Sequence, residues 1–172
     1  FMVKRFDRSG AGRRFFASAM TMTANKDTED ASYLELAEFI ATWGEPDHIN
    51  KDLEELFARV VFNVATANRD DHLRNHGFMR TPSGWRLAPA FDMNPSFKKD
   101  EHALAIDLYN RQPDINAVLA TAEYYRLDLN LAKKTISRIS KVIAGWKPRA
   151  RKLGLPAHAI SEAEHLFLKL TA

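Results

Sequence analysis

Leu53-Glu54-Glu55-Leu56-Phe57-Ala58-Arg59-Val60-Val61-Phe62-Asn63-Val64 is the stretch on which the fold turns. Leu53, Leu56, Phe57, Val60, Val61 and Val64 recur at intervals that put their side chains on one face of an α-helix. The density of branched residues along that stripe predicts a helix buried on more than one side, and so the central helix of the core. Upstream, Tyr33, Leu36, Ala37, Ile40 and Trp43 repeat the spacing behind Ser32 and Glu35, an S-x-x-E capping box. A helix over 32–43 is expected there.

Downstream, three more stripes follow: Ile115, Val118, Leu119 and Ala122 with Asp114 as cap; Ala132, Ile136, Ile139, Ile143 and Trp146 with Asn130 as cap; and Ile160, Ala163, Phe167 and Leu170. Pro148 and Pro156 punctuate the last two. Only the middle departs from helical spacing. Gly77-Phe78-Met79-Arg80 and Trp85-Arg86-Leu87-Ala88 are strand-like and flank Thr81-Pro82-Ser83-Gly84, whose proline and glycine suit a type I turn. A small hairpin among helices follows. His102 to Tyr109 alternates, with Leu104, Ile106 and Leu108 on one side, which predicts a short strand or an ordered loop. Trp43, Trp85 and Trp146 are expected to pack in the core.

The chain has 172 residues, 45% hydrophobic and 27% charged, enough for one globular unit and unlike a disordered tail. It has no cysteine, which excludes disulfides, thiolate metal sites and thiol nucleophiles. No apolar run is long enough for a membrane helix, and Phe1-Met2-Val3-Lys4-Arg5-Phe6-Asp7-Arg8 is too charged for a signal peptide. The expected setting is the cytoplasm, with no membrane partner. The net charge of +3 is uneven: ten carboxylates lie between Asp27 and Glu55, and eight bases with no acid between Lys133 and Lys152. The basic stretch suits either a nucleic-acid or acidic-partner surface or, as we favour, the solvated faces of amphipathic helices.

Between the strongest helix and the hairpin lies Asn68-Arg69-Asp70-Asp71-His72-Leu73-Arg74-Asn75, and just after the hairpin comes Ala90-Phe91-Asp92-Met93-Asn94-Pro95. Asp70, Asn75 five residues later and Asp92 another 17 on form the order that phosphoryl transfer from ATP uses. The first aspartate takes the acceptor's proton; an amide and a second carboxylate give magnesium hard oxygen ligands. All three side chains are therefore expected to converge on one cleft. Each has a purely structural explanation as well, as a helix cap, a turn cap or an Asx turn. Asp71, a second carboxylate beside Asp70, is expected to raise at least one of the two pKa values in the absence of magnesium.

Arg5-Phe6-Asp7-Arg8, the run from Asn68 to Phe78, and the run from Trp85 to Ser96 together resemble the HipA family of bacterial serine/threonine kinases, the toxin halves of toxin–antitoxin operons. The resemblance extends from about residue 3 to the C-terminus. It implies a mainly α, protein-kinase-like C-lobe with a small β-hairpin, spanning 1–172, with a hinge strand at 1–8 and catalytic and metal-binding loops at 68–96. It makes Asp70 the catalytic aspartate, His72 part of the catalytic loop, and Asn75 and Asp92 the magnesium ligands. Lys4 and Phe6 would lie in the hinge that meets adenine, Asp7 near the ribose and Phe91 against the nucleotide. The implied cofactors are Mg and ATP. The implied partners are a protein substrate and a HipB-like helix-turn-helix antitoxin, with DNA reached only through that antitoxin.

The family's phosphate-cradling loop and ATP lysine lie upstream of the hinge, and nothing but Phe1-Met2-Val3 stands there. The N-lobe is thus expected to be absent, the chain to fold but not catalyse alone, and the hinge strand to be poorly anchored. Two other readings compete. In one the chain is a non-catalytic module docking an antitoxin or nucleic acid; in the other Asp71, His72 and His76 centre a metal-dependent phosphohydrolase.

Overall fold

The computed structural model describes residues 5–10, 12–25 and 31–168. It opens with a two-stranded hairpin, β1 (Arg8–Ser9) and β2 (Gly12–Arg13), followed by β3 (Phe16–Ser18) and one helical turn, α1 (Ala19–Met22). Next come α2 (Tyr33–Trp43) and α3 (Ile49–Ala65), then the hairpin β4 (Gly77–Arg80) and β5 (Trp85–Leu87). A long ordered loop leads to α4 (Ile115–Ala120), α5 (Leu129–Ala144), α6 (Trp146–Lys152) and α7 (Ala157–Leu166).

The architecture is mainly α with a small sheet, and α3 is its axis. Leu53, Leu56, Phe57, Val60, Val61 and Val64 are all fully buried. Helices α2, α4 and α5 and strand β5 pack around α3. Ser32 caps α2, its backbone N–H donating to Glu35 Oε1 at 3.0 Å, the reciprocal half of the capping box. Asp114 caps α4 by accepting from Asn116 N–H at 2.8 Å. The cap of α5 is Asp128, which accepts from Leu131 N–H at 2.8 Å, and Asn130 is the second residue of that helix. The chain turns at Gly145, so Trp146 starts α6, and Pro148 sits in the first turn of α6, where its missing N–H costs no helical bond. Leu170 lies outside the described residues.

The β4–β5 hairpin forms as expected, Thr81 N–H donating to Gly84 O at 2.9 Å. It is not alone: β3 adds antiparallel to β4, with Ala17 opposite Phe78, making a three-stranded sheet. One ion pair and a hydrogen bond to a backbone carbonyl join the hairpin to α3. Asp52 takes Arg86 in a bidentate grip (2.9 and 3.0 Å) and also accepts from Leu87 N–H, while buried Arg59 donates to Ala88 O at 2.8 Å.

The 102–109 alternative is decided for the ordered loop, and two expectations, Trp43 and the hinge strand, change. The 102–109 segment is a loop with a single bridge, Ser32 to Ala105; Leu104 and Ile106 are buried but Leu108 is exposed. Trp43, on the last turn of α2, is 62% exposed, whereas Trp85 and Trp146 pack against the core. In the described part of the expected hinge strand, Arg5 to Asp7 is an irregular segment ending in a turn, and strand begins at Arg8. Its described part is held, because the Phe6 ring packs on Phe16 and Phe91. On α5, Lys133, Lys134, Arg138 and Lys141 lie exposed opposite the buried Ile139 and Ile143, the solvated face of an amphipathic helix. Among the described residues no helix is long and apolar enough to cross a membrane.

Candidate active site

The site begins where α3 ends. Ala67 takes a left-handed backbone (φ 56°), a conformation costing an L-residue of order 1 kcal/mol, and throws the chain out of the helix. The loop that follows has two faces, and adjacent aspartates point to opposite ones.

Asp71 faces inward and is 3% exposed. Its Oδ2 accepts from the Tyr33 hydroxyl, from Asn63 Nδ2 and from His76 Nε2, each at 2.7 Å. Asn68 Nδ2 donates to Asn63 Oδ1 at 3.0 Å and extends the network along the loop. Burial by itself would push the Asp71 carboxyl up; the His76 charge and the hydrogen bonds from His76 and Tyr33 outweigh it, and the group sits below its ordinary value. Burial, then the Asp71 charge, pushes the Tyr33 hydroxyl well up, so it remains a donor.

Asp70 faces outward, with its side chain 60% exposed. Lys99 Nζ donates to its Oδ1, and that hydrogen bond lowers the Asp70 carboxyl, with the charges of Lys99, His72 and Arg74 adding to the effect. The expectation that at least one of the two neighbouring carboxyls would be raised is therefore overturned. They point apart, and each has its own cation or donors.

Asn75 closes a 3-10 turn (Leu73–Asn75), donating its N–H to His72 O at 2.8 Å. It is 8% exposed, and its side-chain amide is tied to no described residue. Asp92 lies beyond β5. Ala88 N–H donates to Gly77 O at 2.9 Å, so Asn75, before β4, and Asp92, after β5, leave the hairpin at the same end. Ser96 N–H then donates to Ala67 O at 2.8 Å. The Asp92 segment is thus held at one end beside Gly77 and at the other at the start of the loop carrying Asp70. Asp92 has a left-handed backbone (φ 56°), and its Oδ1 accepts from Asn94 Nδ2 at 2.8 Å. Aspartate is among the non-glycine residues that take this conformation most readily.

An amide oxygen on a buried side chain with no internal partner and an exposed carboxylate are the hard donors magnesium takes. These residues fit that ion. Among the described residues no group of three or more His, Cys, Asp and Glu could hold a metal, so the reading centred on Asp71, His72 and His76 loses its ligands: Asp71 and His76 are spent on each other inside the core. His72 is half-buried at the start of the 3-10 turn.

Of the expected nucleotide contacts, Phe6 and Phe91 come together, their rings stacked at 6.0 Å with Phe16 against both. Asp7 is engaged by Arg5, whose Nε donates at 2.8 Å. Lys4 lies outside the described residues. The residues that sequence reasoning missed are Lys99, Asn63 and Tyr33. Asn63 carried a signal, a polar side chain set in the apolar stripe of α3.

The sequence profile of the HipA-like C-terminal domain matches residues 1–146. The chain belongs to that family. No curated protein matches this HipA-like chain in sequence. Among solved structures it is similar to a chain of the Shewanella oneidensis MR-1 toxin–antitoxin complex of HipA, HipB and operator DNA, with a TM-score of 0.74 and 20% identity. That match covers 95% of the HipA-like chain but only 45% of the Shewanella chain, so the likeness concerns the fold of less than half of the longer protein.

Proposed function

We propose that this HipA-like domain carries the catalytic loop and metal ligands of a protein-kinase-like C-lobe, acting with Mg and ATP on serine or threonine hydroxyls of a protein substrate. The observation that carries the reading is the loop's division of labour. Asp71 is locked into the core, which leaves its neighbour Asp70 open to solvent while the chain bearing Asp92 is strapped beside the Asp70–Asn75 loop.

In this mechanism Asp70 orients the acceptor hydroxyl and takes its proton as the oxygen bonds to phosphorus. Asn75 and Asp92 hold magnesium, which neutralises charge on the phosphates. His72 adds positive potential beside Asp70 and helps keep it ionised. Phe91, stacked on Phe6, offers an apolar edge at the hairpin end for the nucleotide, and Phe6 and Asp7 belong to the hinge side of that site. Positioning supplies most of the rate in phosphoryl transfer, so the residues that fix the loop matter as much as those that touch substrate.

A HipB-like antitoxin is the partner that the family suggests, with DNA contacted through it. The HipA of the similar Shewanella complex is held together with HipB and operator DNA. Calorimetric titration with ATP tests the site. Binding should require magnesium and weaken at least about tenfold in Asn75→Ala and in Asp92→Asn, each removing one hard ligand. Magnesium-independent binding that is indifferent to both substitutions would refute the reading.

A further inference from the structure

Lys99 lies on the long loop after the hairpin, outside every motif of the sequence, yet its ammonium rests on Asp70. The contact is arranged by two backbone hydrogen bonds and the Arg69 side chain. Ser96 N–H donates to Ala67 O at 2.8 Å, Ala103 N–H donates to Arg69 O at 2.9 Å, and Arg69 Nη1 donates to Lys99 O at 2.5 Å. These bonds bracket Lys99 on both sides and staple its segment along the Asp70 loop. Both side chains are about half exposed, 46% for Lys99 and 60% for Asp70, so the pair contributes little to stability. A contact built by three converging links, two of them between backbones and one from the Arg69 side chain, but worth little to the fold calls for another explanation.

Resting on the proposed kinase reading, we infer that Lys99 is a positioning residue for Asp70: it clamps one carboxylate oxygen and turns the other toward the acceptor hydroxyl. Asp70 Oδ1 is taken by Lys99, and no described side chain meets Oδ2. In the transfer step the acceptor oxygen bonds to the γ-phosphorus of ATP, the bond from that phosphorus to the ADP oxygen breaks, and the hydroxyl proton passes to Oδ2. The clamp keeps the carboxylate ionised and in one rotamer before the proton arrives. Besides Lys99, the charged groups facing Asp70 are His72 and Arg74.

The test has two readouts. Carbon-detected NMR titration of the Asp70 carboxyl in this chain reads the clamp without any substrate. Lys99→Met should move its midpoint upward toward the ordinary aspartate value, and Lys99→Arg should hold it low. In the full-length gene product, Lys99→Met should lower kcat roughly tenfold with KM for ATP unchanged, and Lys99→Arg should restore most of it. An unmoved midpoint, or wild-type kcat in Lys99→Met, overturns the role of Lys99 while Asp70→Asn still abolishes transfer. Transfer that is absent, or indifferent to Asp70→Asn, overturns the kinase reading itself and the role of Lys99 with it.

Discussion

Asp70 and Asp71 are neighbours in the chain and opposites in setting. Asp71 is buried under three donors, whereas Asp70 stands in solvent with a lysine on one oxygen. The pair shows how a loop can be rigid and reactive at once, because one carboxylate anchors the backbone that the other needs held still. The buried face should therefore govern stability and the open face turnover, and the following substitutions test that division.

The largest effect belongs to Asp71→Ala, which strands three buried donors. Urea unfolding should show a loss of about 3–5 kcal/mol, against less than about 0.5 kcal/mol for Asp70→Ala. Equal losses would break the contrast. Next comes pH. His102 is 2% exposed, and burial followed by the Arg69 charge lowers its pKa from 6.5 to about 4. Between those values the unfolded chain binds a proton that the folded chain refuses. Stability is complete above pH 6.5 and should fall by about 1.4 kcal/mol per unit as pH drops toward 4. Asp71, lowered in the folded state, adds a loss of the same sign only below its unfolded value near 4. Replacing His102 with Phe should flatten the upper part of that slope; an unchanged slope would place its origin elsewhere.

A smaller effect is expected of Tyr33→Phe, which removes one of the three donors to Asp71 and should cost about 1–2 kcal/mol by thermal or urea unfolding. Smallest is Lys99→Met on the open face, where losing the same exposed pair should cost less than about 0.5 kcal/mol, as for Asp70→Ala. A larger loss there would mean that the Lys99 segment is part of the core's support.

The helical half of this fold was legible because its signals are local. The α3 stripe, the Ser32–Glu35 box and the hairpin around Thr81–Gly84 are each marked by residues close together in the chain, and all three are realised. What escaped is non-local or finely balanced. Strand β3 is three residues long and pairs with a strand about sixty positions away, so no periodicity marks it. Asp128 and Asn130 are both good cap residues two positions apart, and backbone geometry chose the first. Trp43 continues the apolar stripe of its helix, but α2 ends there and Gly44 turns away, leaving the ring uncovered.

At the site, residue types and spacing named Asp70, Asn75 and Asp92, since the chemistry of a metal and a base prescribes them. They did not tell which of two adjacent aspartates would be buried. That depended on Tyr33 and Asn63 from two other helices, which only packing brings to the loop. Lys99 was invisible for the same reason, standing 29 positions from its partner on a segment without regular structure.

The most direct measurement is transfer of labelled γ-phosphoryl from magnesium ATP to serine or threonine by the full-length gene product, comparing wild type with Asp70→Asn. The account predicts that the substitution lowers transfer at least about a hundredfold while leaving the urea midpoint unmoved. Transfer that survives Asp70→Asn at the wild-type rate would contradict it.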